Sequence, residues 1–115
     1  MKSKITVIEF PVLSNYQIHV EVTSDLKKAL AKYPQTKNIY EEEDITTDAM
    51  AVHVNNDGTS FIFLPPNASA GTIAHECWHV VRRMMDYLGI ELGNEVVAYY
   101  LGYLVNRIFR FTRGK

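Results

Sequence analysis

The strongest constraint on how this chain folds is a change of periodicity near residue 69. From Ser69 to Leu88, bulky apolar residues recur at three- and four-residue steps, the spacing that places side chains on one face of an α-helix. Gly89 suits the end of that helix, because glycine readily adopts the backbone conformation found at helix ends. After a short link, a last helix is predicted from about Asn94, which can serve as its cap, to Arg110.

The first half of the chain has the residue pattern of β-strands. Residues 5–10 and 16–22 are rich in β-branched and aromatic types, and the polar residues between them predict the turn of a hairpin. A second hairpin is predicted from residues 49–54 and 60–64, because the segment between them contains Asp57-Gly58, a strong turn signal.

A short helix and an acidic segment separate the two hairpins. Ser24 or Asp25 can accept from the free N–H groups that open a helix, and Pro34 ends one, which predicts a helix over residues 26–32. Residues 35–48 carry a run of four acidic side chains and few apolar ones, which favours a solvated loop over an acidic binding tail. The whole order predicts an α+β fold, with a small, mainly antiparallel sheet and two long C-terminal helices.

Length and composition bound the function classes. With 115 residues, of which 47% are hydrophobic, the chain is large enough for one domain spanning residues 1–115 and too short for two. A net charge of -1 supplies no field to attract nucleic acid or an anionic membrane, so neither partner is expected. The single cysteine, the lack of a signal-like amino terminus and the lack of a bilayer-length apolar run predict a cytoplasmic protein. Composition does not determine the oligomeric state.

The first long helix carries His75-Glu76-Cys77-Trp78-His79, an H-E-x-x-H element. Histidines four residues apart share one helical face, so their imidazole nitrogens can converge on one zinc ion at about 2.0–2.1 Å. Glu76 projects about 100° around the axis from His75, which lets it act as general base on a zinc-coordinated water whose pKa the metal lowers towards 7. Roughly 0.01 such elements are expected by chance in this composition. The alternative is a pair of structural histidines.

The surrounding residues resemble the signature of the zincin metallopeptidases. That signature has valine or threonine three residues before the first histidine, uncharged residues around it, and a hydrophobic residue two after the second; residues 72–81 meet each of these positions. The match covers ten residues closely and residues 49–110 loosely, through the order of strands and helices. The resemblance implies a zinc-dependent peptidase similar to the small metallopeptidases carried by phages and mobile elements.

A catalytic zinc site needs a third protein ligand besides one open position. The metzincin pattern places a third histidine six residues after His79, and Met85 at that position excludes it. The gluzincin pattern takes a glutamate from the next helix, which implies Glu95, with Glu91 as the reserve candidate. Because only fifteen residues separate His79 from Glu95, the connecting turn must be tight.

The residue pattern on one face of the last helix also favours Glu95 as the third zinc ligand, without reference to the zincin family. Glu95 shares this face with Ala98, Tyr99, Gly102 and Asn106, and the two small residues would let the face lie close against the metal-bearing helix. The alternative is that Glu95 only complements the positive end of the helix dipole.

Four other side chains could contribute to the site. By its resemblance to tyrosines of related peptidases, Tyr99 could donate to a developing oxyanion, although tyrosines in an apolar helix usually serve packing. His53 is a further ligand candidate, but a lone strand histidine is more often structural. Cys77 points to the far side of the helix and is expected to be a small core residue. Asp86 lies two turns after His79 and could orient a neighbouring group.

The motif, the resemblance and the charge pattern leave three hypotheses for the function. In zincins the strand before the metal-bearing helix commonly forms the sheet edge that holds an extended substrate, which implies a polypeptide lying along the segment from Phe61 to Leu64. The leading hypothesis is therefore a zinc endopeptidase. A metal-binding but non-proteolytic module is the alternative, although a structural site needs no general base such as Glu76. Nucleic-acid binding through the basic residues of segment 107–115 is weaker, because those charges complement the helix dipole.

Overall fold

Four strands and three helices make up the described part of the chain, which in this computed structural model comprises residues 3–10, 16–34, 36, 49–53, 58–89 and 93–114, without the side chains of residues 53 and 94. The strands are β1 (Lys4–Glu9), β2 (Gln17–Val22), β3 (Met50–His53) and β4 (Thr59–Leu64). The helices are α1 (Leu26–Lys32), α2 (Ala70–Leu88) and α3 (Asn94–Thr112). The predicted α+β fold is confirmed. The first predicted hairpin turn, most of the second and most of the predicted acidic loop lie outside the described residues.

The sheet has the strand order β1-β2-β4-β3. Both predicted hairpins are confirmed, since β1 pairs antiparallel with β2 and β3 pairs antiparallel with β4. The hairpins join through β2 and β4, which run parallel with Val20 opposite Ile62. β4 therefore lies inside the sheet, and the expectation that residues 60–64 form a sheet edge is wrong. Among the described strands, the edges are β1 and β3.

Side chains alternate between the two faces of the sheet and build a core on each. On one face, Phe61 and Phe63 pack with α1 in a small core. On the same face Glu21 is buried, and its carboxylate accepts from Lys32 Nζ at 2.9 Å and from the Tyr33 hydroxyl at 2.7 Å. The opposite face carries the larger core, in which Ile62 and its neighbours pack against α2 and α3.

The two long helices pack as an antiparallel pair. Ser69 caps α2 by accepting from the Thr72 N–H, and Gly89 ends it in the left-handed conformation with a φ of 70°. Near the end of α3, Arg113 donates to the carbonyl of Ala68 at 3.1 Å, which sets the end of α3 beside the start of α2. No helix in the described part of the chain is both long enough and apolar enough to cross a membrane.

The start and the packed face of α3 differ from prediction. Gly93 holds the cap position with no side-chain hydrogen bond, so capping by Asn94 is wrong because Asn94 already lies within the helix. Leu104 and Ile108 are fully buried, whereas Ala98 and Gly102 are exposed. A Cβ added at Gly102 would meet no atom within 4 Å. The predicted close approach through the small residues is therefore wrong, because turning the bulkier stripe inward buries more apolar area.

Candidate metal centre

His75 and His79 lie one turn apart on the outer face of α2. Both are exposed, while the buried residues of the helix occupy the opposite side. Their Nε2 atoms are 3.3 Å apart, and the two rings meet nearly at right angles, with an interplanar angle of 82°. Two nitrogens bound to a tetrahedral zinc ion at 2.0–2.1 Å are about 3.3–3.4 Å apart. The pair therefore has the donor atoms and the separation of half a zinc site. In the absence of a metal, the same separation suits a hydrogen bond between two imidazoles, the structural alternative.

Glu76 lies on the same turn but at the edge of the buried face. Its side chain is only 8% exposed, and none of the described basic residues forms an ion pair with its carboxylate. The carboxylate does not join the two imidazoles in a common ligand group among the described residues. A general base needs this kind of position, because it must lie beside the metal ligands without being one of them.

Cys77 faces the core, as predicted. It is fully buried and forms no disulfide. Burial raises the pKa of the Cys77 thiol to about 12, and the negative charge of Glu76 adds to the increase. The thiol therefore stays protonated and packs as a small apolar side chain. Its orientation excludes it from the outer face where the histidines lie.

Glu95 is not brought to the histidine pair. It is exposed near the start of α3, and among the described residues no third His, Cys, Asp or Glu side chain gathers with His75 and His79. The antiparallel packing explains why. α2 continues nine residues past His79 to Leu88, roughly 13 Å along the axis at 1.5 Å per residue, and α3 then starts beside that far end. A glutamate side chain is far shorter than this distance.

Tyr99 shares the exposed face of α3 with Glu95. The side chain of Tyr99 is 61% exposed, and its ring meets that of Tyr100 edge-on at 5.2 Å. Glu95, Val96, Tyr99 and Tyr100 line a shallow cavity of about 380 Å³. Neither histidine lines this cavity, so the structure does not bring Tyr99 to the pair; its oxyanion role stays a prediction.

The structure places none of the three remaining candidates, His53, Glu91 and Asp86, in contact with the histidine pair among its described side chains. His53 ends β3 in register with Ser60, and α2 packs against β3, but the His53 side chain is outside the described set. Glu91 lies outside the described residues as well. Asp86 is exposed and pairs with Arg83 at 3.5 Å, so its described contact is with a neighbour on its own helix.

Trp78 is a feature of the site that was not singled out from the sequence. It directly precedes His79 and its side chain is 38% exposed, so a large aromatic surface lies beside the histidine pair. The signal was present, because Trp78 falls outside the buried stripe that contains Ile73, Cys77 and Val80. An exposed indole here can pack against an apolar group bound next to the histidine pair.

Comparison with known proteins finds no matching family model, no matching curated protein and no matching solved structure. A metal centre is therefore indicated only by the motif of residues 72–81 and by the geometry of His75, Glu76 and His79.

Proposed function

We propose that this protein is a zinc-dependent peptidase in which His75 and His79 bind the metal and Glu76 is the general base. The proposal depends above all on one observation, the 3.3 Å separation of the two Nε2 atoms on the exposed face of α2. This separation fits the donor spacing of tetrahedral zinc. The neighbouring carboxylate, which has no ion-pair partner in the described part of the chain, adds the group that hydrolysis needs and that a structural site does not.

In peptide hydrolysis the two histidines would hold the metal, and Glu76 would transfer the proton. A zinc ion held by His75 and His79 would lower the pKa of a coordinated water towards 7 and would polarise the carbonyl of the scissile bond. Glu76 accepts the proton of the attacking water and passes it to the departing amine. The position of Glu76 at the edge of the buried face suits this role, because packing restricts its rotamers while its carboxylate forms no ion pair with any described residue.

The third protein ligand is open among Glu95, Glu91 and His53. Glu95 is the least favoured ligand of the three, because α2 extends roughly 13 Å beyond His79 before the chain turns into α3. Three single substitutions to alanine, each followed by a zinc-affinity measurement, separate the candidates. The ligand is the residue whose loss weakens zinc binding by the same order as His79→Ala.

The outer edge of β3, which pairs with none of the other described strands, is the best place for an extended substrate. β4 is flanked by β2 and β3, so its backbone groups are already paired and the predicted docking along Phe61 to Leu64 has no free edge. Among the described strands, β3 is paired only with β4, and α2 packs against it. Strand addition at this edge would hold a polypeptide through main-chain hydrogen bonds, independently of its sequence.

The direct test is hydrolysis of a fluorescently labelled unfolded protein by the zinc-loaded chain. Wild type should release fluorescent peptides, and both Glu76→Gln and His79→Ala should not. Arg82→Ala is the matched control, because Arg82 is exposed on the same helix three residues after His79. Cleavage by the Glu76→Gln variant at the wild-type rate would show that the activity belongs to a contaminant or to a different site.

A second candidate is a metal-binding protein without proteolytic activity. It is favoured by the finding that the described residues gather only two ligands, both on the outer face of α2. Two copies of the chain, each supplying His75 and His79, would close a zinc site with four protein ligands, as structural sites require. Such a site predicts half a zinc ion per chain and a dimer that dissociates with chelator, whereas the peptidase predicts one zinc ion per chain.

A further inference from the structure

A cavity between β1 and the C-terminal part of α3 is rich in positive charge. Its volume is about 190 Å³, and it is lined by Thr6, Ile8, Arg107, Arg110 and Phe111. Two guanidinium groups and a hydroxyl group thus share a recess with two apolar side chains. None of the described residues that line this recess is acidic.

The two guanidinium groups are not neutralised by their described surroundings. Neither Arg107 nor Arg110 forms an ion pair with a described residue. Arg107 donates from Nη1 to the Tyr103 hydroxyl at 2.9 Å, with its guanidinium 5.7 Å from the centre of that ring. Tyr103 is in turn packed against Phe10, with ring centres 5.5 Å apart. Arg107 is therefore oriented by a supported side chain, and its other N–H donors remain available.

The helix dipole does not account for this pair. A cation stabilises a helix end only within about the last turn. Arg110 lies in the last turn of α3, but Arg107 lies five residues before the final residue, Thr112. Arg113, at the cap itself, already sits at the negative end of the helix. The dipole thus explains Arg113 and part of the role of Arg110, and leaves Arg107 unexplained.

We propose that this cavity binds the phosphate group of a small phosphorylated molecule. Guanidinium groups hold phosphate oxygens through paired, charge-assisted hydrogen bonds, and the Thr6 hydroxyl can donate a further one. Ile8 and Phe111 offer an apolar wall for the carbon skeleton next to the phosphate. The volume lies below the roughly 300–1,000 Å³ of pockets that enclose drug-sized ligands, so the bound group is small.

The test is a calorimetric titration of the full chain with inorganic phosphate, in a chloride buffer of constant ionic strength. Wild type should show saturable binding to one site. Arg107→Gln and Arg110→Gln should each weaken it about tenfold or more, because each removes charge-assisted hydrogen bonds. Arg82→Gln is the matched control, since it removes one exposed arginine from α2 and leaves the cavity intact. Thermal unfolding of each variant checks that the fold is retained.

Three results would overturn the proposal: no saturable phosphate binding above the chloride background, equal weakening by Arg82→Gln, or unchanged binding when both cavity arginines are replaced. A parallel titration with a short single-stranded oligonucleotide separates the sources of phosphate. Oligonucleotide binding without binding of inorganic phosphate would overturn the small-molecule site in favour of a nucleic-acid surface. The test uses no metal and no peptide, so its outcome is independent of the peptidase proposal.

Discussion

Replacing Glu76 by glutamine separates a catalytic carboxylate from a structural one. Glutamine has nearly the same size and shape, so the change removes the negative charge and the ability to accept a proton while keeping the packing at the edge of the core. The Glu76 side chain is 8% exposed and has no described ion-pair partner. The substitution therefore breaks no described salt bridge.

The substitution Glu76→Gln should strongly reduce the rate of hydrolysis and leave the stability of the fold nearly unchanged. Loss of a general base slows hydrolysis by about 10²–10⁴-fold, or about 3–5 kcal/mol in the activation free energy. The free energy of unfolding should change by less than about 1 kcal/mol, because glutamine keeps the packing and no described ion pair is lost. In a domain of this size, 1 kcal/mol corresponds to about 4 °C in the melting temperature.

The assay measures three quantities on wild type and Glu76→Gln: initial hydrolysis rate, zinc affinity by competition with a chelator, and melting temperature. Asp86→Asn is the control, because Asp86 is an exposed acid on the same helix whose described partner is Arg83. The reasoning is refuted if Glu76→Gln keeps more than a tenth of the wild-type rate. It is equally refuted if the variant unfolds several degrees lower, since that would reveal a structural partner for the carboxylate.

Three further predictions concern the scaffold and are measured by urea unfolding. Leu104→Ala should lower the free energy of unfolding by about 2–5 kcal/mol, since Leu104 is fully buried between α3 and the core; a loss below 1 kcal/mol would contradict this packing. Gly89→Ala should cost about 1–2 kcal/mol, because residue 89 has a φ of 70°, and no loss would show that the helix ends differently. Burial, and then the hydrogen bond and charge of Glu21, raise the pKa of Tyr33. The stability that Tyr33 contributes is thus complete below pH 10, the usual pKa of tyrosine, and falls as the pH rises above it; Tyr33→Phe should flatten this decline, and an unchanged slope would exclude the pair as its cause.

Elements were predictable where local chemistry decides them. The short helix ends at the predicted residues because Asp25 caps it and Pro34 follows closely, and α2 runs between Ser69 and Gly89 for similar reasons. The pairing of β2 with β4 was not predictable in this way. It joins strands far apart in sequence, and no local pattern records that they are neighbours or that they run parallel. The interior position of β4 follows from this pairing, which is why the predicted substrate edge was wrong.

In the candidate site, too, the features decided by local sequence were predictable and those decided by tertiary packing were not. One turn of helix fixes the relation of His75, Glu76 and His79, so the motif alone predicts their faces and approximate separation. The position of Glu95 depends on how far α2 continues and on which side of α3 turns inward, and both are decided by tertiary packing. Ala98 and Gly102 suggested one packed face, whereas burial of Leu104 and its neighbours selected another.

The most direct test of the central claim is the zinc content of the chain, purified without chelator or affinity metal, together with its mass in solution. The proposed zinc peptidase should contain about one zinc ion per chain in wild type and in Arg82→Ala, and almost none in His79→Ala of unchanged fold. Half a zinc ion per chain in a dimer would contradict the peptidase and favour the metal-binding protein without proteolytic activity. A stably folded chain that stays empty after incubation with zinc would contradict the metal centre altogether.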